Sequence, residues 1–243
     1  MLYAILKPIV AVFLRVFCGL EAHGIEHVPR DGAVLLVSNH SSVLDGPAIG
    51  AAVPRQMTFL AKAELFRIPL FGALLRRLNA RPVRREGADA GALRAVLRVL
   101  GEHRALLTFP EGTRGEEGVL RPPKPGAGML AVVSGAPVIP VYVHGSGRAW
   151  PKGRRLPRPG KITVHFSPAL SLPPDDGGAR RDHYEAVSRA MMAAIADLKE
   201  RATADAGSRA LAEAHQAVGG AGCAPARTPL KYTQGRNGQH GHG

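Results

Sequence analysis

The sequence predicts an α/β protein, with a single layered domain in which helices flank a mostly parallel sheet. Short, continuous apolar runs of the kind found in buried strands recur along the chain. Segments with apolar residues at helical spacing lie between these runs. The chain has 243 residues, of which 45% are hydrophobic, so it can bury one good-sized core.

Four of the apolar runs are predicted strands. They are residues 33–38 (AVLLVS), 104–109 (RALLTF), 137–143 (PVIPVYV) and 161–166 (KITVHF). Two helices are predicted from apolar residues that recur every three or four positions. One follows Asp89 and carries Leu93, Val96, Leu97 and Leu100; the other is the final helix, which carries Val187, Met191, Ile195 and Leu198 and runs to about Glu200.

The two ends of the chain differ from its centre. The first 19 residues are almost wholly apolar, with Lys7 and Arg15 inside the run, a pattern typical of a helix lying in a membrane interface. An ordinary helix packed on the core is the alternative. After Ala206 the periodicity ends and glycine is frequent, which predicts a disordered tail. We therefore expect a membrane-associating segment (1–22), a folded domain (23–200) and a low-complexity tail (201–243).

The charge balance is strongly basic, with a formal net charge of +13. Such a surface favours polyanions, either nucleic acid or anionic lipid and phosphorylated substrates. Aromatic residues make up only 5% of the chain, and no recognition-helix or zinc-finger spacing occurs, so we favour lipid and expect no nucleic-acid partner. The two cysteines, Cys18 and Cys223, have neither redox nor zinc-ligand spacing, and we expect neither a metal nor a cofactor.

The first polar cluster, Asn39-His40-Ser41-Ser42-Val43-Leu44-Asp45, directly follows a predicted strand. Open α/β sheets place ligand sites at the carboxyl ends of their strands. Histidine can accept a proton near neutral pH, and a carboxylate on its other ring nitrogen would fix the tautomer. Five residues on a helix place side chains about 140° apart, so the pair requires His40 in the turn before the helix. Asn39 or Ser41 is then a candidate helix cap.

The second polar cluster, Phe109-Pro110-Glu111-Gly112-Thr113-Arg114, ends the second predicted strand. Proline and glycine predict a tight turn at the same edge of the sheet. The planar guanidinium of Arg114 suits a phosphate group.

These residues resemble the glycerolipid acyltransferases of the PlsC type, the 1-acylglycerol-3-phosphate acyltransferases. The resemblance covers roughly residues 24–198 and includes further blocks in the family's order. These are Lys62-Ala63-Glu64-Leu65, Ile68-Pro69-Leu70-Phe71-Gly72, Arg81-Pro82-Val83-Arg84-Arg85, Lys124-x-Gly126 and Val138-Ile139-Pro140-Val141.

The resemblance implies acyl transfer from acyl-CoA or acyl-carrier protein to the sn-2 hydroxyl of lysophosphatidic acid. His40 would be the general base and Asp45 its orienting partner. The implied substrate-binding residues are Arg85, Glu111, Gly112, Thr113 and Arg114. We expect the enzyme to act on an anionic membrane, at the cytoplasmic face of the inner membrane, with acyl-carrier protein as a candidate protein partner.

One position departs from the family pattern, because Arg84 stands where many members carry an acid. This extra cation leaves open other acceptors, namely glycerol 3-phosphate, a lysophospholipid with a larger head group or a lyso-aminolipid. A non-catalytic basic protein that binds membranes is the alternative from another functional class. That alternative explains the charge and the amino terminus, but not the two polar clusters together.

Overall fold

The computed structural model describes residues 2–83 and 90–219. One compact unit ends at Thr203, and the remaining described residues, 204–219, are helical. In chain order the elements are α1 (Leu2–Cys18), β1 (Glu21–His23), β2 (Val34–Ser38), α2 (Asp45–Ala52), β3 (Met57–Lys62), α3 (Phe71–Arg77), β4 (Ala80–Val83), α4 (Ala90–Gly101), β5 (Ala105–Thr108), α5 (Pro125–Ser134), β6 (Val138–His144), α6 (Ser146–Ala149), β7 (Thr163–Phe166) and α7 (Arg180–Gly219).

The seven strands form one sheet in the order β1-β7-β6-β2-β5-β3-β4. Neighbouring strands are parallel everywhere except between β6 and β7. The predicted α/β class with a mostly parallel sheet is confirmed. The central strand β2 is buried at all five positions, as expected for a strand covered by helices on both faces.

Alternate side chains of β2 supply two separate cores, one on each face of the sheet. Val34 and Leu36 pack with residues of α1 and α2. Leu35 and Val37 pack with residues of α4, α5 and the first part of α7. The domain therefore has three layers, and its loops at the carboxyl ends of β2, β5 and β6 meet at one edge of the sheet.

The four predicted strands are present as β2, β5, β6 and β7, with ends shifted by one or two residues. Three further strands, β1, β3 and β4, were not predicted. β1 has only three residues, and β4 contains Pro82, which an edge strand tolerates. The helix after Asp89 is α4.

The predicted end of the final helix near Glu200 is wrong, because α7 continues to Gly219. The added segment has no apolar stripe, but seven of its 19 residues are alanine, which has the highest intrinsic helix propensity. The predicted disordered tail from residue 201 is therefore helical as far as Gly219. Its remainder, residues 220–243, lies outside the described residues.

Helix α1 is apolar on two sides. Its inner side packs on α2 and buries Leu14 and Cys18 in the core. Its outer side exposes a second apolar row, which consists of Ile5, Ile9, Val12, Phe13 and Val16. Within the described part of the chain, no helix combines the length and apolar character that crossing a bilayer requires.

Candidate active site

The two polar clusters lie side by side, because the strands that precede them, β2 and β5, are neighbours in the sheet. The loop after β6, the other neighbour of β2, completes the site. Hydrogen bonds tie the first two loops together: the His40 amide donates to Glu111 Oε1 at 3.0 Å, and the Gly115 amide donates to the His40 carbonyl at 2.8 Å. The backbone of His40, which follows β2, is thus also held by the loop that follows β5.

His40 and Asp45 form a direct pair, with 2.8 Å between His40 Nδ1 and Asp45 Oδ2. The geometry follows the predicted requirement, since His40 lies in the loop and α2 begins at Asp45. The imidazole stacks on the Phe109 ring at 3.9 Å between centroids and is 13% exposed, whereas the Asp45 side chain is fully buried. Because Nδ1 faces the carboxylate, Nε2 is the nitrogen that can accept a proton.

Four donors hold the buried Asp45 carboxylate. Oδ2 accepts the His40 bond and the amides of Ser41 and Ser42, at 2.8 and 2.9 Å. Oδ1 accepts the hydroxyl of Ser146 at 2.5 Å. With this many donors, the carboxylate is held in a fixed orientation.

The predicted caps of α2 are not observed. The residue preceding the helix is Leu44, which makes no capping bond through its side chain. Asn39 instead exchanges two hydrogen bonds with the backbone of Val143 on β6, at 2.9 and 2.8 Å. These two bonds attach the first loop to β6.

Glu111 has a structural position in the site. Its carboxylate is buried and accepts the amides of His40 and, at 3.3 Å, Arg121. Burial raises the pKa of Glu111, while these two amide bonds act in the opposite direction. A carboxylate engaged in this way links the loops that follow β2 and β5.

The remaining predicted binding residues occupy the turn after β5. Gly112 has a φ of 68°, and a Cβ there would lie 2.9 Å from Lys124 Cδ, so the turn requires glycine. Thr113 is half-buried beside it. Arg114 lines the same pocket as His40. Arg85 lies outside the described residues, as does Arg84.

A pocket of about 530 Å³ extends from His40 between α1, α2 and β3. Its polar end carries His40 and Arg114, and most of its wall is apolar, formed by Tyr3, Leu6, Val10, Val43, Gly46, Pro47, Gly50, Ala51, Phe59, Leu60, Leu65, Leu75 and Leu78, among others. The amine of Lys7, on the same wall, donates to the carbonyls of Val53 and Arg55. Burial lowers the pKa of Lys7. The volume and lining suit a small apolar ligand with a polar head.

The sequence did not indicate two further residues of the site, Ser146 and Glu117. Ser146 follows β6 and is fully buried. Glu117 accepts the amides of Gly145 and Gly147, the two neighbours of Ser146 in the chain, at 2.6 and 2.7 Å. Neither belongs to a recognisable pattern, and only the strand end before Ser146 could have indicated it. Among the described residues, no group of three or more His, Cys, Asp or Glu side chains is placed to hold a metal ion.

Known proteins resemble this chain in sequence and in structure. The family model described as acyltransferase matches residues 19–144, a segment that includes both polar clusters. The chain is 30% identical over 154 residues to the 1-acyl-sn-glycerol-3-phosphate acyltransferase of Bacillus subtilis, covering 63% of this chain and 74% of that protein. It is 32% identical to the Limnanthes alba enzyme of the same name but spans only 54% of it.

A solved structure agrees with the fold. It is the crystal structure of the 1-acyl-sn-glycerophosphate (LPA) acyltransferase PlsC from Thermotoga maritima, with 29% identity and a TM-score of 0.61. The match covers 78% of this chain and 80% of that one. The family model, the relatives and this structure agree with one another, and the chain belongs to the acyltransferase family, as a member of the PlsC type.

Proposed function

We propose that this protein transfers a fatty acyl group from a thioester, acyl-CoA or acyl-carrier protein, to the sn-2 hydroxyl of 1-acyl-glycerol 3-phosphate, giving phosphatidic acid. The observation that carries the proposal is the His40–Asp45 pair, 2.8 Å apart, in the wall of an apolar pocket that Arg114 also lines. An imidazole, an apolar cavity and a guanidinium group thus lie at one site. The names of the relatives support the same acceptor.

In the proposed mechanism, His40 Nε2 takes the proton of the acceptor hydroxyl as its oxygen attacks the thioester carbonyl carbon. Asp45 stabilises the imidazolium that forms. The tetrahedral intermediate then collapses, the carbon–sulfur bond breaks, and the thiolate leaves with the proton from the imidazolium. The products are the new ester and a free thiol, with His40 neutral again.

Direct attack by the acceptor is favoured over an acyl-enzyme. Ser41 and Ser42, the hydroxyls nearest to His40 in sequence, are both buried. Ser41 Oγ lies 3.0 Å from Ser146 Oγ, and Ser42 Oγ donates to the Trp150 carbonyl at 2.8 Å. A serine nucleophile needs its hydroxyl on the base, whereas these hydroxyls are engaged elsewhere.

Arg114 is the proposed partner of the acceptor phosphate, since its fork can form two hydrogen bonds to one phosphate group. The family resemblance adds Arg85 to the same role. Glu111, Gly112 and Thr113 would shape the turn that carries Arg114. Holding the phosphate at two points fixes the position of the hydroxyl relative to His40, and such positioning accounts for several kcal/mol of a typical barrier.

The apolar pocket is the proposed site of the acyl chain, and Gly50 tests it. A Cβ on Gly50 would lie 2.9 Å from Phe59 Cζ and 3.8 Å from Tyr3 Oη, and all three residues line the pocket. Gly50 is five residues along α2 from Asp45, about 7.5 Å along the helix axis. We expect Gly50→Leu to reduce transfer from palmitoyl-CoA about tenfold while transfer from hexanoyl-CoA changes little.

The comparison variant for that experiment is Gly46→Ala, one turn closer to Asp45. Its Cβ would meet Phe59 Cδ1 at 3.6 Å, an ordinary contact, so we expect a smaller change in chain-length preference. Equal losses with both donors in Gly50→Leu would contradict the assignment of the pocket to the acyl chain.

A membrane-facing surface is proposed from two adjacent features. One is the exposed apolar row of α1. The other is the loop between α6 and β7, which exposes Leu156 and four basic residues, Lys152, Arg154, Arg155 and Arg158. The end of this loop meets the end of α1, where the Ile162 amide donates to the Cys18 carbonyl at 2.9 Å. Apolar side chains beside basic ones suit the cytoplasmic leaflet, whose lipids are anionic.

Vesicle sedimentation tests the two features separately. We expect replacement of the four basic loop residues by serine to weaken binding to vesicles containing phosphatidylserine at least tenfold, with little effect on neutral vesicles. We expect Val12→Ser with Val16→Ser to weaken binding to both. Unchanged binding in both variants, with thermal stability preserved, would contradict this surface.

The direct test of the proposed function is thiol release by the wild-type protein from acyl-CoA and from acyl-carrier protein. Lysophosphatidic acid should be required for release, and phosphatidic acid should form in equal amount. Release with glycerol 3-phosphate or another lysolipid instead would support one of the other acceptors. Vesicle binding without release from either donor over the acceptor panel would support the non-catalytic membrane protein.

A further inference from the structure

Ser146 is the only donor to Asp45 Oδ1 among the described residues, because the other three donors all serve Oδ2. It lies at the start of α6, directly after β6, and its side chain is fully buried. The resemblance to known acyltransferases assigned it no role. Its hydroxyl binds one oxygen of the Asp45 carboxylate, and His40 binds the other.

We propose that Ser146 is a positioning residue for the reaction: its hydroxyl fixes the rotation of the Asp45 carboxylate and thereby the orientation of the His40 ring. The inference rests on the proposed function of His40 as the base. A carboxylate bonded only through Oδ2 can pivot about that oxygen. A second bond at Oδ1 prevents the pivot, which holds Oδ2 in line with His40 Nδ1.

The direction of the Ser146 bond is fixed by chemistry. An ionised carboxylate only accepts hydrogen bonds, so the Ser146 proton must point at Asp45. The lone pairs of Ser146 then face Ser41, whose Oγ lies 3.0 Å away. Ser41 Oγ also lies 3.3 Å from Glu117 Oε2. Ser41, Ser146 and Asp45 thus form a continuous row of polar groups, and all three residues are buried.

Glu117 keeps the backbone of Ser146 in place. It accepts the amides of Gly145 and Gly147, the residues on either side. A Cβ on Gly145 would lie 2.0 Å from the Lys161 carbonyl oxygen, so the turn at this point is closely packed as well. Because both the turn and the hydroxyl are fixed, the Oδ1 bond is preorganised before substrate arrives, as catalytic sites require.

The test combines kinetics with a spectroscopic readout of the His40–Asp45 bond. In Ser146→Ala we expect kcat to fall about tenfold, the factor typical of losing one charge-assisted hydrogen bond, with KM within about twofold of wild type. In proton NMR, the downfield Nδ1–H resonance of His40, identified by its absence in His40→Gln, should shift or broaden. Ser146→Thr, which keeps the hydroxyl, should restore both.

The matched control is Ser188→Ala, which removes another buried serine that makes two hydrogen bonds, with Gly128 and Lys124. We expect it to lower thermal stability without moving the His40 resonance. An unchanged resonance and kcat in folded Ser146→Ala would overturn the inference. So would a resonance change of equal size in Ser188→Ala. An inactive wild-type protein would refute the proposed function, whereas the resonance would still decide whether Ser146 orients the pair.

Discussion

Replacing His40 with glutamine is expected to reduce acyl transfer by about 10³- to 10⁴-fold, because the acceptor hydroxyl then has no base. Glutamine keeps an amide that can donate to Asp45 Oδ2 and a side chain of moderate size against Phe109. The loss should therefore appear in kcat, measured as thiol released per second, while the thermal transition stays close to that of the wild type.

His183→Gln is the matched control for His40→Gln. His183 lies near the start of α7, which covers the opposite face of the sheet, and the same substitution there should leave kcat within about twofold. If His40→Gln retained more than about one tenth of wild-type activity, a base other than His40 would have to be sought.

Asp45→Asn is expected to lower kcat by about 10³-fold or more with a modest loss of stability. The asparagine oxygen can accept the three donors now on Oδ2, and its NH₂ group can donate to Ser146 Oγ, whose proton then points to Ser41 Oγ. Packing and hydrogen bonds are thus preserved, and only the negative charge is lost. Without that charge the imidazolium that forms in the reaction is destabilised. The measurement is kcat together with the free energy of unfolding by denaturant.

Asp45→Ala separates the structural role of this residue from its charge. It leaves the amides of Ser41 and Ser42 and the hydroxyl of Ser146 buried without an acceptor, which costs about 3 kcal/mol or more of unfolding free energy. The alanine variant should therefore be inactive and destabilised, and the asparagine variant inactive but folded. Full activity in Asp45→Asn would refute the proposed role of the carboxylate.

The fold was predictable where each apolar run formed a buried strand. The run at 33–38 became the central strand β2, which needs continuous apolar residues because both of its faces are covered. The strands β1 and β4 were not predictable on this basis, since they lie at the sheet edges and their side chains are half-buried or exposed over most of their length. Helix α7 continues beyond its apolar stripe through an alanine-rich segment, whose intrinsic helix propensity is high.

The His40–Asp45 pair of the candidate site was predictable from the sequence, but the contacts from other loops were not. The spacing of His40 and Asp45 required a turn before a helix, and that turn is present. By contrast, Ser146 and Glu117 come from other loops, about 100 and 70 residues further along the chain. The order of β5, β2 and β6 in the sheet brings Ser146 to Asp45 and Glu117 to Ser41. Contacts of this kind depend on tertiary topology, which local patterns do not encode.

Helix α1 contributes both to the pocket wall and to the proposed membrane-facing surface. Its inner residues Tyr3, Leu6 and Val10 form part of the pocket wall, and its outer residues form the proposed bilayer-facing surface. A fatty chain extracted into water costs about 0.8 kcal/mol for each methylene group exposed. In the proposed orientation, α1 lies between the lipid on one side and the pocket on the other. Deleting α1 should thus impair catalysis even in detergent solution, where attachment to a bilayer no longer matters.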